Sequence, residues 1–133
     1  MKTPWMEMSV REFQSALASS SPTPGGGTAA AISLGQAAAL TIMVCDLTIG
    51  KEKWESGWDI ANKALPICVK IMSRAGELAD LDSDAFDDVM AAYRMPKGDE
   101  KEIIIRKESI EKSSIVATEI PFETSKLALE ILE

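Results

Sequence analysis

Residues 28–50 read TAAAISLGQAAALTIMVCDLTIG, and this stretch decides the fold. It carries no charge until Asp46, is crowded with Ala and Gly, and holds no strand-like alternation of polar and apolar residues. As a helix from Thr28 to about Ile49 it extends roughly 33 Å at 1.5 Å per residue. It is apolar on all sides, which is the pattern of a helix surrounded by other helices. Ala31, Gly35 and Ala39, four residues apart, give it a smooth stripe for close approach. Gly50 ends it, and Lys51 and Lys53 stand where a helix C-terminus favours cations. Length and low charge also fit a membrane span, but the small residues, Gln36 and the adjoining Asp46 suit a soluble core helix better.

Outward from this helix the signals remain helical. Ser9 and Glu12 form a capping box, with Val10, Phe13 and Leu17 on one face of a short first helix. The run SSSPTPGGG, Ser19 to Gly27, forbids its continuation. A third helix is expected over Lys53 to Leu81, with Ile60, Ala64, Ile67, Ile71, Ala75 and Leu78 as its packed seam and Pro66 as a kink or break. Asp82 or Ser83 can cap a fourth helix, Asp84 to Tyr93, closed by Arg94, Pro96 and Gly98. The last region, Asp99 to Leu132, carries a stripe of Ser113, Val116, Ile120, Leu127 and Ile131, interrupted by Pro121. These elements predict an all-α single domain over residues 1–133, an antiparallel helical bundle around the buried small-residue helix.

Composition narrows the function. The chain has 133 residues with 46% hydrophobic content, enough for one core without metal or disulfide staples. Net charge is -7, against the basic footprint of a nucleic-acid binder. Histidine is absent, which removes the commonest general base and metal ligand together. Cys45 and Cys68 lie far apart in apolar runs, without a CxxC or a His/Cys cluster, and read as buried thiols of a reducing cytoplasm. Residues 1–8 are polar and lack the apolar core of a secretory leader.

Several motifs fail on inspection. Gly25-Gly26-Gly27 is contiguous, unlike GxGxxG, and Gly50-Lys51 lacks the remainder of a phosphate-binding loop. DLDSDAFDD imitates a calcium loop at Asp80, Asp82 and Asp84, then places Ala85 at the glycine position and Ala91 at the bidentate-Glu position. No metal site is expected. SPTPGGGTAAA leaves two readings open. Its exposed amides make an anion or carboxylate site that a ligand can touch, or its glycines are a tight entry to a crowded helix. Trp54 and Trp58 either stack on a flat ligand or anchor a helix or dimer interface. Asp46 and Arg94 interrupt apolar surroundings, so they are candidates for either function or buried pairing.

SPTPGGGTAAA, LTIGKEKW, LDSDAFDDVMAAYRMPK and ATEIPFETSKLALEIL, in that order, resemble the cyclodeaminase/cyclohydrolase family of folate enzymes. The resemblance covers most of the chain from Ser19 onward. It implies an all-helical, homodimeric, cytoplasmic enzyme of one-carbon metabolism, acting on a small-molecule folate substrate with no bound cofactor and with neither nucleic acid nor membrane as partner. Trp54 stands where the family often has Tyr. The family's domain usually continues past the point matching Glu133, so the apolar stripe ending at Leu132 is expected to meet a second subunit or a further segment.

The implied activity is hydrolysis of methenyltetrahydrofolate to formyltetrahydrofolate. The alternatives are formimidoyltetrahydrofolate cyclodeamination with release of ammonia, and a non-catalytic helical dimerisation module. Both reactions need a proton shuttle beside a cation, which a carboxylate of raised pKa supplies without histidine. Asp46 is the first candidate, near the end of the helix that begins at the Gly loop, and Asp84, opening the DAF segment, the second. Lys51 and Arg94 are candidates for holding the substrate's glutamate carboxylates. Gly25, Gly26 and Gly27 are candidates for the same carboxylates or the pterin edge.

Overall fold

The computed structural model describes residues 2–133, and among them all regular structure is helical. The helices are α1 (Val10–Leu17), α2 (Gly26–Thr48), α3 (Trp58–Tyr93) and α4 (Glu100–Leu132), with short 3-10 turns at Trp5–Glu7 and Glu52–Gly57. The Ser9–Glu12 capping box forms at the start of α1 in both directions. Asp99 accepts from the Glu102 amide to start α4.

The third and fourth predicted helices are one. α3 runs 36 residues without a break, roughly 54 Å. Pro66 leaves the Asn62 carbonyl without its helical donor, but both residues lie on the exposed side, where that carbonyl is not sealed from solvent. Asp82 and Ser83, read as caps, and Asp80 beside them have tertiary partners instead. Asp80 accepts from the Trp5 amide, Ser83 from the Trp5 indole, and Asp82 from the Thr28 hydroxyl. Pro121 likewise sits inside an unbroken α4.

α2 and α3 run in opposite directions. Thr28, at the start of α2, meets Ala79 and Ser83 late in α3, while Thr48 at its end meets Gly57 and Trp58. A Cβ on Gly35 would stand 3.4 Å from that of Ala75, so the small-residue stripe does bring the two helices close. Because they are close, the seam of α3 is built of smaller residues than expected: Ala61 and Cys68 are buried, whereas Ile60 is 72% exposed and Ile67 41%. The core joins Leu34 and Ala38 of α2 to Ile71 and Ala75 of α3, with Leu127 and Ile131 of α4 against it. Arg74 of α3 grips Glu123 of α4 with two nitrogens, at 2.7 and 3.1 Å. Val116, predicted in the stripe of α4, is exposed.

α2 is not enclosed within one chain. Thr28, Ala31, Leu34, Ala38 and Cys45 are buried, but Leu40, Met43, Val44 and Leu47 are 49–60% exposed. The expectation of apolar neighbours on every side fails for the described residues, because α3 and α4 cover only one flank. By length and composition α2 could cross a bilayer.

Candidate functional site

The Gly loop and α3 meet in a cavity of about 480 Å³. It is lined by Gly25 to Gly27, by Asp82 and Phe86 of α3, and by Ala117 and Pro121 of α4. Asp82 is the sole ionisable residue in this lining. α2 begins without a side-chain cap of its own, since Gly25 stands at that position. Asp82 supplies the missing acceptor from another helix, taking bonds from the hydroxyl and the amide of Thr28. Burial pushes the Asp82 carboxyl above its ordinary value of 3.8, and the two Thr28 bonds pull it part of the way back.

The three glycines separate under this geometry. A Cβ on Gly27 would collide with the Asp82 carboxylate, so this glycine is a packing requirement. A Cβ on Gly26 would meet nothing within 4 Å, and one on Gly25 only the Pro22 carbonyl oxygen at 3.6 Å. Neither residue has a positive φ. Packing and backbone conformation therefore leave Gly25 and Gly26 unexplained, and both border the cavity. On α4, Pro121 has no N–H to donate to the Ala117 carbonyl four residues back, and both residues line the same space. The cavity thus offers loop amides, a carbonyl outside the helical ladder, an aromatic face and one carboxyl group.

A run of hydrogen bonds fixes the acid from behind. The Trp5 indole donates to Ser83 at 2.9 Å, Ser83 and Thr28 share a bond of 2.7 Å, and the Thr28 hydroxyl reaches Asp82 at 3.3 Å. Thr28 is fully buried. Sequence reasoning placed Asp82 as a helix cap or failed calcium ligand and gave Trp5 no role. The Thr-to-Asp contact spans 54 positions, and no local spacing signals it.

The remaining sequence-predicted residues are dispersed. Asp46 is exposed near the far end of α2, about 30 Å from the Gly loop. Lys51 lies beyond it, exposed, and its carbonyl accepts from the Trp58 indole at 3.2 Å. Trp58 also takes the Thr48 carbonyl at 2.8 Å, so it anchors the end of α2. Trp54 is 49% exposed beneath the Lys53 ammonium. Asp84 is two positions from Asp82, hence about 200° around the helix, and pairs with Lys2 at 3.4 Å. Arg94 is exposed at the end of α3, about 18 Å along the axis from Asp82. The structure therefore brings Gly25, Gly26 and Gly27 together with Asp82, and leaves Asp46, Lys51, Asp84 and Arg94 outside that cavity. Among the described residues no group of three or more His, Cys, Asp or Glu is placed to hold a metal ion.

A second cavity, about 280 Å³, lies between the N-terminal segment and the flank of α2 and α3. Met6, Met8, Phe13 and Met72 make it apolar, and it contains no ionisable group.

Comparison with known proteins follows the same lines. The formiminotransferase-cyclodeaminase family matches residues 9–133. Methenyltetrahydrofolate cyclohydrolase of Methylorubrum extorquens is 39% identical over 125 residues, covering 93% of this chain and 60% of that protein. Formimidoyltransferase-cyclodeaminase of Dictyostelium discoideum is 36% identical over 94% of this chain and 22% of its own length. The crystal structure of formiminotetrahydrofolate cyclodeaminase from Thermotoga maritima superposes with a TM-score of 0.76 at 25% identity, over 92% of this chain and 57% of that one. The chain spans about three-fifths of the bacterial cyclohydrolase. With nearly all of its residues matched in sequence and in fold, the chain belongs to the formiminotransferase-cyclodeaminase family.

Proposed function

We propose that this chain works in folate one-carbon metabolism and hydrolyses methenyltetrahydrofolate to formyltetrahydrofolate. The observation that carries the reading is the 39% identity to a cyclohydrolase along 93% of the chain. The cavity beside the Gly loop supports it, because a flat cationic substrate needs an aromatic face, backbone partners and a carboxylate together. The methenyl carbon is electron-poor, so its hydrolysis needs water and a proton carrier but no resident cofactor or metal. Lys51 and Arg94 lie outside the cavity and serve the substrate's glutamate carboxylates only where a second subunit brings them to it.

Cyclodeamination is the second reading, supported by the Thermotoga maritima cyclodeaminase that shares the fold. Either activity belongs to a cytoplasmic protein working without nucleic acid, given the net charge of -7. Work in water rather than in a bilayer is supported by the Arg74–Glu123 pair on the helices flanking α2. The exposed face of α2 supports a homodimer, in which it becomes the centre of a larger antiparallel bundle.

The test is turnover. Purified chain mixed with methenyltetrahydrofolate is expected to bleach its absorbance faster than the spontaneous rate. Acceleration only with formimidoyltetrahydrofolate, accompanied by ammonia, selects the cyclodeaminase. No acceleration with either substrate, and no saturable folate binding, leaves the dimerisation module and overturns the enzyme reading.

A further inference from the structure

We propose that Trp5 is a positioning residue for the cavity: its indole N–H occupies Ser83 and thereby commits the Thr28 hydroxyl to donate to Asp82. The inference rests on the folate reading above for its link to turnover, and on geometry alone for the hydrogen bonds. Trp5 precedes residue 9, where the family match begins, so it lies in a segment that the match does not include.

Donor counting gives the run its direction. An indole N–H can only donate, so Trp5 donates to the Ser83 oxygen at 2.9 Å. Ser83 is buried, and among the described residues the partner left for its own proton is the Thr28 oxygen at 2.7 Å. With that proton received, Thr28 has its own to give. Two oxygens lie 3.3 Å from it, one of the Asp82 carboxylate and one of the Ala79 carbonyl. The carbonyl already belongs to the helical ladder of α3, and an ionised carboxylate is the stronger acceptor. The protons therefore point one way, from Trp5 through Ser83 and Thr28 to Asp82.

Ser83 is also the competitor that the indole holds off. Its oxygen is nearer to Thr28 than the carboxylate is, at 2.7 against 3.3 Å. Without the indole donor it takes the Thr28 proton, and its own proton turns to the polar cavity of about 550 Å³ that Ser83 and Trp5 both line. Asp82 then loses a bond that favours its ionised form, and its pKa rises. No charge facing it masks the effect. α2 carries none before Asp46, and α4 presents Ala117 and Pro121 to the cavity. On α3, Asp80 takes the Trp5 amide, while Asp84 and Asp87 take Lys2 of the N-terminal segment. Trp5 is itself held in place, by the 3.0 Å bond of its amide to Asp80 and by the Phe13 ring set edge-on to it.

The experiment follows the Asp82 carboxyl by carbon-13 NMR titration in the full chain, with D82N identifying the signal. The variants are W5F, S83A and W5F/S83A, with K2Q as a control that loosens the same segment outside the run. W5F keeps an aromatic ring and removes the donor, so Asp82 is expected to titrate at higher pH than in the parent. Removing the competitor cancels this, so W5F/S83A should titrate with S83A and below W5F. K2Q leaves the titration unmoved. With methenyltetrahydrofolate, kcat/KM of W5F on the acid side of the profile should fall about three- to tenfold, the worth of one hydrogen bond, with the alkaline plateau kept. W5F/S83A restores the acid side. An Asp82 titration unmoved by W5F, a W5F shift that persists in W5F/S83A, or an equal shift in K2Q overturns the proposal, since a loosened segment is not cured by a second substitution. Should W5F not fold, a benzothienyl side chain at position 5, which keeps the bicyclic shape without the N–H, takes its place in the same comparison. A shifted titration with an unmoved acid limb overturns the positioning role in turnover. An inactive parent chain removes the folate reading while the titrations still decide the hydrogen-bond run, which distinguishes the two failures.

Discussion

At the scale of single residues, the glycines of the triplet are not equivalent, and substitution separates Gly27 from Gly26. Gly27 is occupied space: a methyl there drives the Asp82 carboxylate off Thr28. G27A is expected to cost ~1 kcal/mol through the lost hydrogen bonds, together with most of the activity. Gly26 is open space in the first turn of α2. G26A restricts the unfolded chain and should raise stability by ~0.4–1 kcal/mol. If the cavity receives substrate against that backbone, the same methyl raises KM about tenfold or more. Urea unfolding and steady-state kinetics on the two variants give the comparison. A stabilised G26A with unaltered KM removes Gly26 from the binding surface. Of the alternatives open at sequence level, ligand site or tight helix entry, the second holds at Gly27, and the G26A comparison decides the first. No reading of SPTPGGGT distinguishes them, because the distinguishing atom belongs to Asp82, on another helix.

At the scale of elements, helix identity was legible and helix continuity was not. The Ser9–Glu12 capping box, the Ala-rich run and the terminating Gly50, whose φ is +82°, all act locally, and each is where its local chemistry puts it. The predicted break at residues 82–84 came from Asp and Ser as cap formers, which is sound only while their side chains lack other partners. Trp5 and Thr28 supply those partners from 54 to 78 positions away, so α3 continues through. What ties α3 to α4 is also tertiary. Arg74 holds Glu123 below the ordinary carboxylate range of 4.5, chiefly by direct hydrogen bonding. Both side chains are about 40% exposed, so solvent screens the pair and limits its worth to ~1 kcal/mol or less. A depressed carboxylate stabilises the fold above its unfolded pKa, and that contribution is lost as pH falls through the folded one. E123Q should therefore be less stable than the parent at pH 7. The gap should narrow progressively below pH 4.5, by urea unfolding at both ends of the range.

At the scale of the whole molecule, the unresolved tension is α2. Within one chain it buries Ala31, Leu34 and Ala38 against α3 and α4, and shows solvent a second face of Ala30, Ser33, Ala37, Leu40, Val44 and Leu47. These residues repeat in steps of three and four, which is a packing seam rather than a scatter of surface residues. The composition of α2 is thus matched to two sets of neighbours, of which one is present. A homodimer supplies the other set by the simplest symmetry, each copy covering the seam of its twin. Burying a Leu or Val side chain contributes ~1.5–3 kcal/mol, so a handful of such residues per copy is enough to hold the pair. Light scattering should then report twice the 14.4 kDa of one chain. The double variant L40E/V44E places two carboxylates in that seam on each copy, where they are like-charged, desolvated and without a basic partner on α2. It should return to 14.4 kDa with its helicity intact, because neither residue touches the core formed with α3. A double variant that keeps the doubled mass assigns dimerisation to another face, and leaves the α2 seam for a segment outside these 133 residues.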